Sequence, residues 1–457
     1  MMTDDSRAAF AQALARAKAA APDAAMAEVF VLSLNGVAHG KRVPLSALEA
    51  LAAFGPGALK FQTSLLGLDI FGADVPESGI AMEIGDPDGL LVPLPHTLAP
   101  LPFAATPTLS LQGMIADPTT GHPGAFDPRG VLMRALAEAA RRGLTPVVAL
   151  ELEFYLIDPA SAAPARHPAT GEPLAARQMM DLETLRAFEP VMAAITTAAR
   201  DLGASPETIL SEFGAGQFEI NLPHEADAAL ACDHLVALKR AIRLAARHHG
   251  LDATFMAKPF TGWSGSGLHI HASLVDDKGH NLFDQSGAPV GPRLGHALAG
   301  LMDVCADTFL MLAPHLNSYR RFRAGSYAPV ACNWGLDNRG AALRVPATTG
   351  KGARLEHRIA GADANPYLAA AAVIAGILHG LTRKLEPPEP STAETGPGPV
   401  FPLSWPDALA AFEESAFVKA AFGVPFAHVF AAIKRQEIAA LHGRVSDVER
   451  SLYLRRF

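Results

Sequence analysis

The chain has 457 residues, of which 49% are hydrophobic and 18% charged, and its formal net charge is −8 at pH 7. This length and apolar content exclude a disordered chain and allow two or more domains, while the acidic balance argues against nucleic acid as a partner. The three cysteines lie far apart and form no CxxC pair, which favours a reducing cytoplasmic location.

The first part of the chain predicts a small α+β domain over residues 24–120. An alanine-rich helical pattern opens the sequence and lacks the apolar centre of a signal peptide. The segment EVFVLSL (28–34) predicts a strand, and short strand-like pieces separated by Gly and Pro continue to residue 115. The loop chemistry of 116–130 indicates a boundary, after which a second domain is expected over 127–457.

The second domain alternates helices with strands. Helical spacing covers 185–202, 226–249 and 366–384. The Pro-rich stretch 386–405 predicts a surface loop, and two further helices are expected to close the chain. No window approaches eighteen uninterrupted apolar residues, so we expect no membrane-spanning helix and no membrane partner.

Four predicted strands are apolar on one face and carry Glu, His or Arg on the other. These residues are Glu151 and Glu153 in ALELEFYLI (149–157), Glu219 in QFEINL (217–222), His269, His271 and Ser273 in GLHIHASL (267–274), and Arg354, Glu356 and Arg358 in RLEHRIA (354–360). A single antiparallel strand with one solvated face alternates in this way routinely. A solvated face would, however, be rich in Lys, Thr and Ser, whereas these faces hold no lysine and one serine.

If the four faces converge, five carboxylates share one cavity: Glu151, Glu153, Glu212, Glu219 and Glu356. Carboxylates that close repel one another, and divalent cations relieve the repulsion. Oxygen-dominated ligation with an imidazole favours Mg²⁺ or Mn²⁺ over Zn²⁺. Two or three such ions beside arginines would suit the binding of a polyphosphate and phosphoryl transfer. A Walker A loop is not found, because TTGKG (348–352) lacks the leading glycine and the final Ser or Thr.

Long motifs across most of the chain resemble the glutamine synthetase superfamily, in the family's order. They are NGVAHGKRVP, ELEFYLID, EFGAGQFEINL, KPFTGWSGSGLHIHASL, NSYRRFRAGSYAPV, DNRGAALRVP, RLEHRIAGADANPYLAAA and VSDVERSLYL. The resemblance implies an α+β fold with a small N-terminal β-grasp domain and a larger catalytic domain, whose curved antiparallel sheet forms a partial barrel backed by helices. It also implies homo-oligomeric rings, with dodecamers expected and each active site between subunits.

The resemblance also implies roles for individual residues. Glu153, Glu212 and Glu219 match ligands of the metal nearest the glutamate substrate, and Glu151, His269 and Glu356 match ligands of the metal that bridges the ATP phosphates. Arg321, Arg339 and Arg358 match arginines that bind the glutamate carboxylate and the transferred phosphoryl group, and Gly265 matches a backbone contact to glutamate. Glu207, His271, Ser273, Lys351 and Arg354 fall where the family contacts nucleotide.

The implied activity is an ATP-dependent ligation of L-glutamate to an amine through γ-glutamyl phosphate. Ammonia-using members carry a flap glutamate where this chain has Tyr327, and an Asp-Gly-Ser-Ser segment where it reads FQTSLLGLDIFG. The loss of both carboxylates should weaken an ammonium site, whereas an aromatic wall suits an alkyl chain or an organic ammonium. These departures resemble the γ-glutamylpolyamine (glutamate–putrescine) ligase branch.

Two alternatives remain at this point. The first is ordinary glutamine synthesis from ammonia, which a kinetic preference for ammonium would support. The second is a catalytically inactive homologue, although such a protein has no physical reason to keep the carboxylates and arginines. The identity of the amine, its base, the ring size and the preference for Mg²⁺ or Mn²⁺ stay open.

Overall fold

The computed structural model describes residues 4–175, 177–284, 290–393 and 398–457. Its N-terminal part is built on one six-stranded sheet. The elements are α1 (Asp4–Ala20), β1 (Met26–Leu32), β2 (Ala38–Pro44), α2 (Leu45–Phe54), β3 (Lys60–Gln62), β4 (Asp88–Pro93), β5 (Ala99–Pro100) and β6 (Thr108–Ala116). The strands lie in the order β2-β1-β6-β4-β3, with β5 also on β6. β1 runs parallel to β6, and every other pair in this sheet is antiparallel.

The larger part follows from residue 128 and contains the second sheet. Its strands are β7 (Leu144–Ile157), β8 (Thr208–Ser211), β9 (Gln217–Asn221), β10 (Asp252–Thr254), β11 (Leu268–Asp276), β12 (Trp334–Leu336), β13 (Leu343–Ala347) and β14 (Arg354–His357). They lie in the order β12-β13-β14-β11-β7-β9-β8, with β10 also on β7. Only the β12–β13 pair among these described strands is parallel.

Helices cover the apolar face of the second sheet. They are α3 (Pro128–Arg141), α4 (Leu182–Ala187), α5 (Glu189–Asp201), α6 (Ala228–His248), α7 (Pro292–Asp303), α8 (Cys305–Leu312), α9 (Pro366–Arg383), α10 (Trp405–Glu414), α11 (Ala416–Phe422), α12 (Val424–His442) and α13 (Asp447–Tyr453). Leu150, Leu152 and Phe154 of β7 are at most 1% exposed and belong to the same core as α6 and α9. Burial of these side chains turns the opposite, polar face of β7 away from the helices.

Two predictions about helices were wrong in detail. The helix expected over 185–202 is two helices, because Phe188 leaves helical geometry and Pro190, which has no N–H to donate, lies in the first turn of the next helix. The chain closes with four helices instead of two in its described part. Ser415 caps the start of α11, Gly423 adopts φ 92 before α12, and Ser446 forms a capping box with the first turn of α13.

Within the predicted surface loop 386–405, residues 394–397 lie outside the described residues. The preceding residues pack onto β12, where the Trp334 indole N–H donates to the Pro388 carbonyl at 2.7 Å. In the described part of the chain, no single helix has the length and apolarity needed to cross a membrane, although two sharply bent helix pairs meet that test by length and composition alone.

Candidate active site

A cavity of about 530 Å³ opens on the polar face of the second sheet. Its charged and imidazole lining consists of Glu151, Glu153, Glu212, Glu219, His269, His271, Arg321, Arg339, Arg344, Arg354 and Arg358. Four of the five carboxylates predicted to converge therefore line one cavity. The fifth, Glu356, is 1% exposed and lies beneath its arginines.

Strand register explains this convergence. Because β7 is paired on both sides, Glu151 lies opposite His269 of β11 and Asn221 of β9. Glu153 lies opposite Glu219 in the same way. On the other side of β11, His271 lies opposite Glu356. Directly paired residues of neighbouring strands have Cβ atoms about 5 Å apart, so these side chains form one continuous polar surface.

Three groups of three residues on this surface could each hold a metal ion. Within each group, one ligand atom from every residue lies within 4.8 Å of those from the other two. They are Glu153, Glu212 and Glu219; Glu151, Glu219 and His269; and Glu151, His271 and Glu356. The first group has the composition expected from the sequence. The second expected group combined Glu151, His269 and Glu356. In the structure, Glu151 and His269 belong to one group, and Glu151 and Glu356 belong to another. His271, which was predicted to contact the nucleotide, lies among the possible metal ligands.

The imidazoles stay close to Glu151. His269 Nδ1 lies 3.2 Å and His271 Nε2 lies 2.8 Å from the Glu151 carboxylate. Although burial opposes it, these hydrogen bonds lower the pKa of Glu151. Glu356 is likewise held as a carboxylate: burial opposes its ionisation, but Arg358 and His269 lower its pKa to about 2.

Glu212 and Glu219 show the opposite effect. Burial, followed by the negative charge of Glu153, raises the pKa of Glu212 to about 7 and that of Glu219 to about 9. Without a cation, these carboxyls therefore tend to keep their protons near neutral pH, because carboxylates this close cannot all be ionised. An oxygen-rich donor set of this kind fits a divalent cation of the Mg²⁺ or Mn²⁺ type, whose charge would replace the protons.

The predicted arginines have different surroundings. Arg321 is buried, and its Nη1 and Nη2 donate to the carbonyls of Ile359 at 2.8 Å and Arg358 at 3.2 Å. Arg358 pairs with Glu356, and its buried Nε has no hydrogen-bond partner among the described residues. Arg339 is exposed at the cavity. The cavity thus offers guanidinium groups for an anionic ligand.

Gly265 lies at the cavity wall, where a side chain would not fit. An added Cβ would approach the Ala257 carbonyl oxygen to 2.6 Å and Arg321 Cγ to 2.8 Å. The Gly265 carbonyl accepts a hydrogen bond from Gln217 Nε2 at 2.9 Å. The position predicted to contact glutamate through its backbone is therefore one that requires glycine.

The residues predicted at the nucleotide are only partly brought together. Arg354 lines the cavity and donates from Nε to His271 Nδ1 at 3.1 Å. Ser273 is buried further along β11 and does not line the cavity. Glu207 and Lys351 are exposed outside the cavity lining. Their assignment to nucleotide binding stays a prediction.

Sequence reasoning missed several residues of the cavity. Arg344 donates from Nη1 to Glu356 at 2.7 Å and from Nη2 to Asp337 at 2.6 Å. Gln217 connects Glu153 with the Gly265 carbonyl. Both side chains lie on the polar face of an alternating strand, as the pattern LRVPA (343–347) shows for Arg344, so the period of two was the available signal.

Comparison with known proteins identifies the same family that the sequence motifs resemble. Residues 125–453 match the family described as "Glutamine synthetase, catalytic domain". The chain is 38% identical to "Gamma-glutamylputrescine synthetase PuuA" of Escherichia coli (strain K12), over 96% of this chain and 94% of that protein. It is 31% identical to "Glutamate--isopropylamine ligase" of a Pseudomonas species, over 93% of each.

A solved structure titled "GmaS/ADP complex-Conformation 1" superposes with a TM-score of 0.83, at 29% identity, and covers 96% of this chain and 99% of that chain. This match confirms the predicted fold class, an α+β fold with a curved, partial-barrel sheet backed by helices. The assignment of the N-terminal sheet as a β-grasp domain stays a prediction. By the family match and these relatives, the chain belongs to the glutamine synthetase family.

Proposed function

We propose that this chain is an ATP-dependent ligase that joins L-glutamate to an organic amine as a γ-glutamyl amide. The single observation that carries the proposal is the convergence of five carboxylates, two imidazoles and the cavity arginines on one sheet face. The relatives named for putrescine and isopropylamine support an organic amine as acceptor.

The chemistry has two balanced steps. A γ-carboxylate oxygen of glutamate attacks the γ-phosphorus of ATP, the bond from that phosphorus to the bridging oxygen breaks, and ADP leaves. The amine nitrogen then attacks the acyl carbon of γ-glutamyl phosphate, the carbon–oxygen bond to phosphate breaks, and the amine gives up a proton. Both steps need charge stabilisation and alignment more than a covalent protein group.

The donor set fits two or three Mg²⁺ or Mn²⁺ ions, held by Glu153, Glu212 and Glu219 and by Glu151 with His269, His271 and Glu356. When bound, such ions neutralise phosphate charge and orient the phosphoryl group. The ligand Glu356 is kept ionised by Arg344 and Arg358. It therefore presents a carboxylate at neutral pH.

The cavity arginines complete the anion site in this proposal. Arg321 is oriented by the two carbonyls that it contacts, and it lines the cavity with its aliphatic stem beside Gly265 and its Nη2 beside Gly267. Arg339, which is exposed at the cavity, and Arg358, which also lines it, supply further guanidinium groups for carboxylate or phosphoryl oxygens. Tyr327 lines the acceptor side and replaces the carboxylate that an ammonium ion would need.

Assembly, location and domain limits are further proposals. We infer a homo-oligomer, with a dodecamer and active sites between subunits as the expected form. Exposed apolar side chains on the N-terminal part support a subunit contact there, with Phe54 81%, Met82 71% and Ile84 59% exposed.

The three buried free cysteines support a cytoplasmic location. The end of β6 at Ala116 and the start of α3 at Pro128 support domains over 24–120 and 127–457.

The test supplies the purified protein with L-glutamate, ATP, MgCl₂ or MnCl₂ and a panel of amines. We expect equimolar ADP and γ-glutamyl amide, measured by coupled assay and mass spectrometry. Arg358→Gln should abolish both products, whereas the control Arg186→Gln, an exposed arginine of α4, should retain them. A preference for ammonium would favour glutamine synthesis, and the absence of any amide would favour an inactive homologue.

A further inference from the structure

One side of the cavity is apolar. Met180, Leu210, Phe213 and Tyr327, here called the acceptor wall, line it together with Met179. Met180 is 59% and Tyr327 68% exposed, although both are large apolar or aromatic side chains. Exposed apolar surface inside a binding cavity is typical of contact with an apolar part of a ligand.

The acceptor wall is held by backbone pairing, which joins two distant segments. The Met180 N–H donates to the Ser211 carbonyl at 2.9 Å, and Ser211 Oγ donates to the Gln178 carbonyl at 2.7 Å. These bonds set the segment with Met180 alongside the one with Leu210 and Phe213. The centroids of the Phe213 and Tyr327 rings then lie 6.2 Å apart, so the wall continues from Phe213 to Tyr327.

The wall begins next to the acidic part of the cavity. Glu212, a member of the acidic group with Glu153 and Glu219, directly precedes Phe213, and the Phe213 N–H donates to its Oε2 at 3.0 Å. An amine whose nitrogen approaches the acyl carbon near this group would therefore extend its carbon chain along Phe213.

Backbone geometry supports a binding role for the two ends of the wall. Met180 has φ 53 and Tyr327 has φ 57, both in the left-handed region that side-chain-bearing residues rarely adopt. Such strained conformations are concentrated at functional sites. Both residues line the same cavity.

The wall offers no carboxylate for a second positive charge. Every carboxylate that lines the described part of the cavity is a member of one of the three acidic groups. Asp181, next to Met180, accepts hydrogen bonds from the first turn of α4. Apart from Glu212, the charged group beside Phe213 is Arg177, whose guanidinium carbon lies 5.4 Å from the centre of the Phe213 ring. A second ammonium would gain little there.

On these grounds we propose that the acceptor wall recognises the alkyl chain of the amine, and that chain length, not a second amino group, sets the specificity. The inference rests on the proposed ligase function and names the substrate class as primary alkylamines whose carbon chain is long enough to lie along Phe213 and Met180, with or without a distal polar group. Met180 and Phe213 are the specificity-determining residues.

The test measures kcat/KM for ammonium, methylamine, propylamine, ethanolamine, butylamine and putrescine at fixed glutamate and ATP. Burial of a methylene against the wall should raise kcat/KM about two- to fourfold, so butylamine should exceed methylamine by roughly tenfold or more. Propylamine should exceed ethanolamine, which has the same number of heavy atoms. Butylamine and putrescine should agree to within about threefold.

Variants separate the wall from general damage. Phe213→Ala and Met180→Ala should each lower the ratio of kcat/KM for butylamine to that for methylamine roughly tenfold. Methylamine turnover also reports that the variant is folded, and Met180 is exposed enough that its truncation leaves the core intact. Leu182→Ala is the matched control, since Leu182 is two residues away and 66% exposed but does not line the cavity.

Three results would overturn this inference but would leave the proposed ligase function intact, because amide would still form. They are equal use of methylamine and butylamine, an equal loss for all amines in the wall variants, or a preference of more than about tenfold for putrescine over butylamine. The absence of amide with every amine would instead reject the proposed function.

Discussion

Crowding of the carboxylates predicts that Glu219→Gln stabilises the metal-free protein. Glu219 is 7% exposed, and burial with the charge of Glu153 raises its pKa to about 9. Between pH 4.5, which equals the ordinary pKa, and about pH 9, Glu219 keeps its proton in the folded protein, whereas the same carboxyl has released it in the unfolded chain. The free energy of unfolding therefore falls as pH rises through this window. A glutamine at position 219 has no such proton and removes this slope.

The magnitude follows from the width of the window. A pH of 7 is about 2.5 units above the ordinary carboxyl pKa. At about 1.4 kcal/mol per unit, the burial of Glu219 therefore lowers the free energy of unfolding by about 3 kcal/mol at this pH. An unfolding entropy of about 2.1 cal/mol/K per residue gives about 1 kcal/mol/K for a chain of this length. Glu219→Gln should therefore raise the apparent Tm by about 3 °C at pH 7 in EDTA.

The assay is thermal unfolding of both proteins from pH 5.5 to 8, in EDTA and in saturating MgCl₂ or MnCl₂. In EDTA the advantage of the variant should grow with pH. With metal the order should reverse, because the variant loses a ligand and with it part of the stabilisation by bound ions. Glu172→Gln, an exposed carboxylate outside the cavity, is the matched control. A Glu219→Gln protein that is less stable than wild type in EDTA, or whose advantage is independent of pH, would refute the reasoning.

Three further predictions concern single charges. Tyr327→Glu restores a carboxylate at the acceptor side and should raise kcat/KM for ammonium relative to butylamine by roughly tenfold; an unchanged amine profile would contradict the role of Tyr327. Arg344→Gln removes a partner of the buried Glu356 and should cost about 2 kcal/mol of stability and most of the ADP release; thermal unfolding equal to wild type would argue against it. Lys434→Met removes the cation that pairs with the buried Glu437, both side chains being 0% exposed, and should destabilise by about 3–5 kcal/mol. The double variant with Glu437→Gln should recover part of that loss in the same unfolding assay, and equal loss in both would disprove the coupling.

Local sequence predicted much of the second sheet. The period of two in ALELEFYLI identified the face of β7 that carries Glu151 and Glu153, because side chains alternate strictly along a strand. Motif resemblance then supplied the family and predicted roles for residues that periodicity cannot assign, such as Arg321. Helix ends were less well predicted, since Phe188 and Gly423 interrupt helical patterns that read as continuous.

Sequence by itself therefore determined which strand faces carry the acidic and imidazole side chains of the site, but not which residues meet within it. The pairing of Glu151 with His269, more than a hundred positions away, depends on β11 lying beside β7. The grouping of His271 with Glu356, and the alignment of Met180 with Phe213, likewise arise only when distant strands and loops are in register. The physical reason is that alternation is a local property of the backbone, whereas strand order and register are set by burial of the whole apolar face at once.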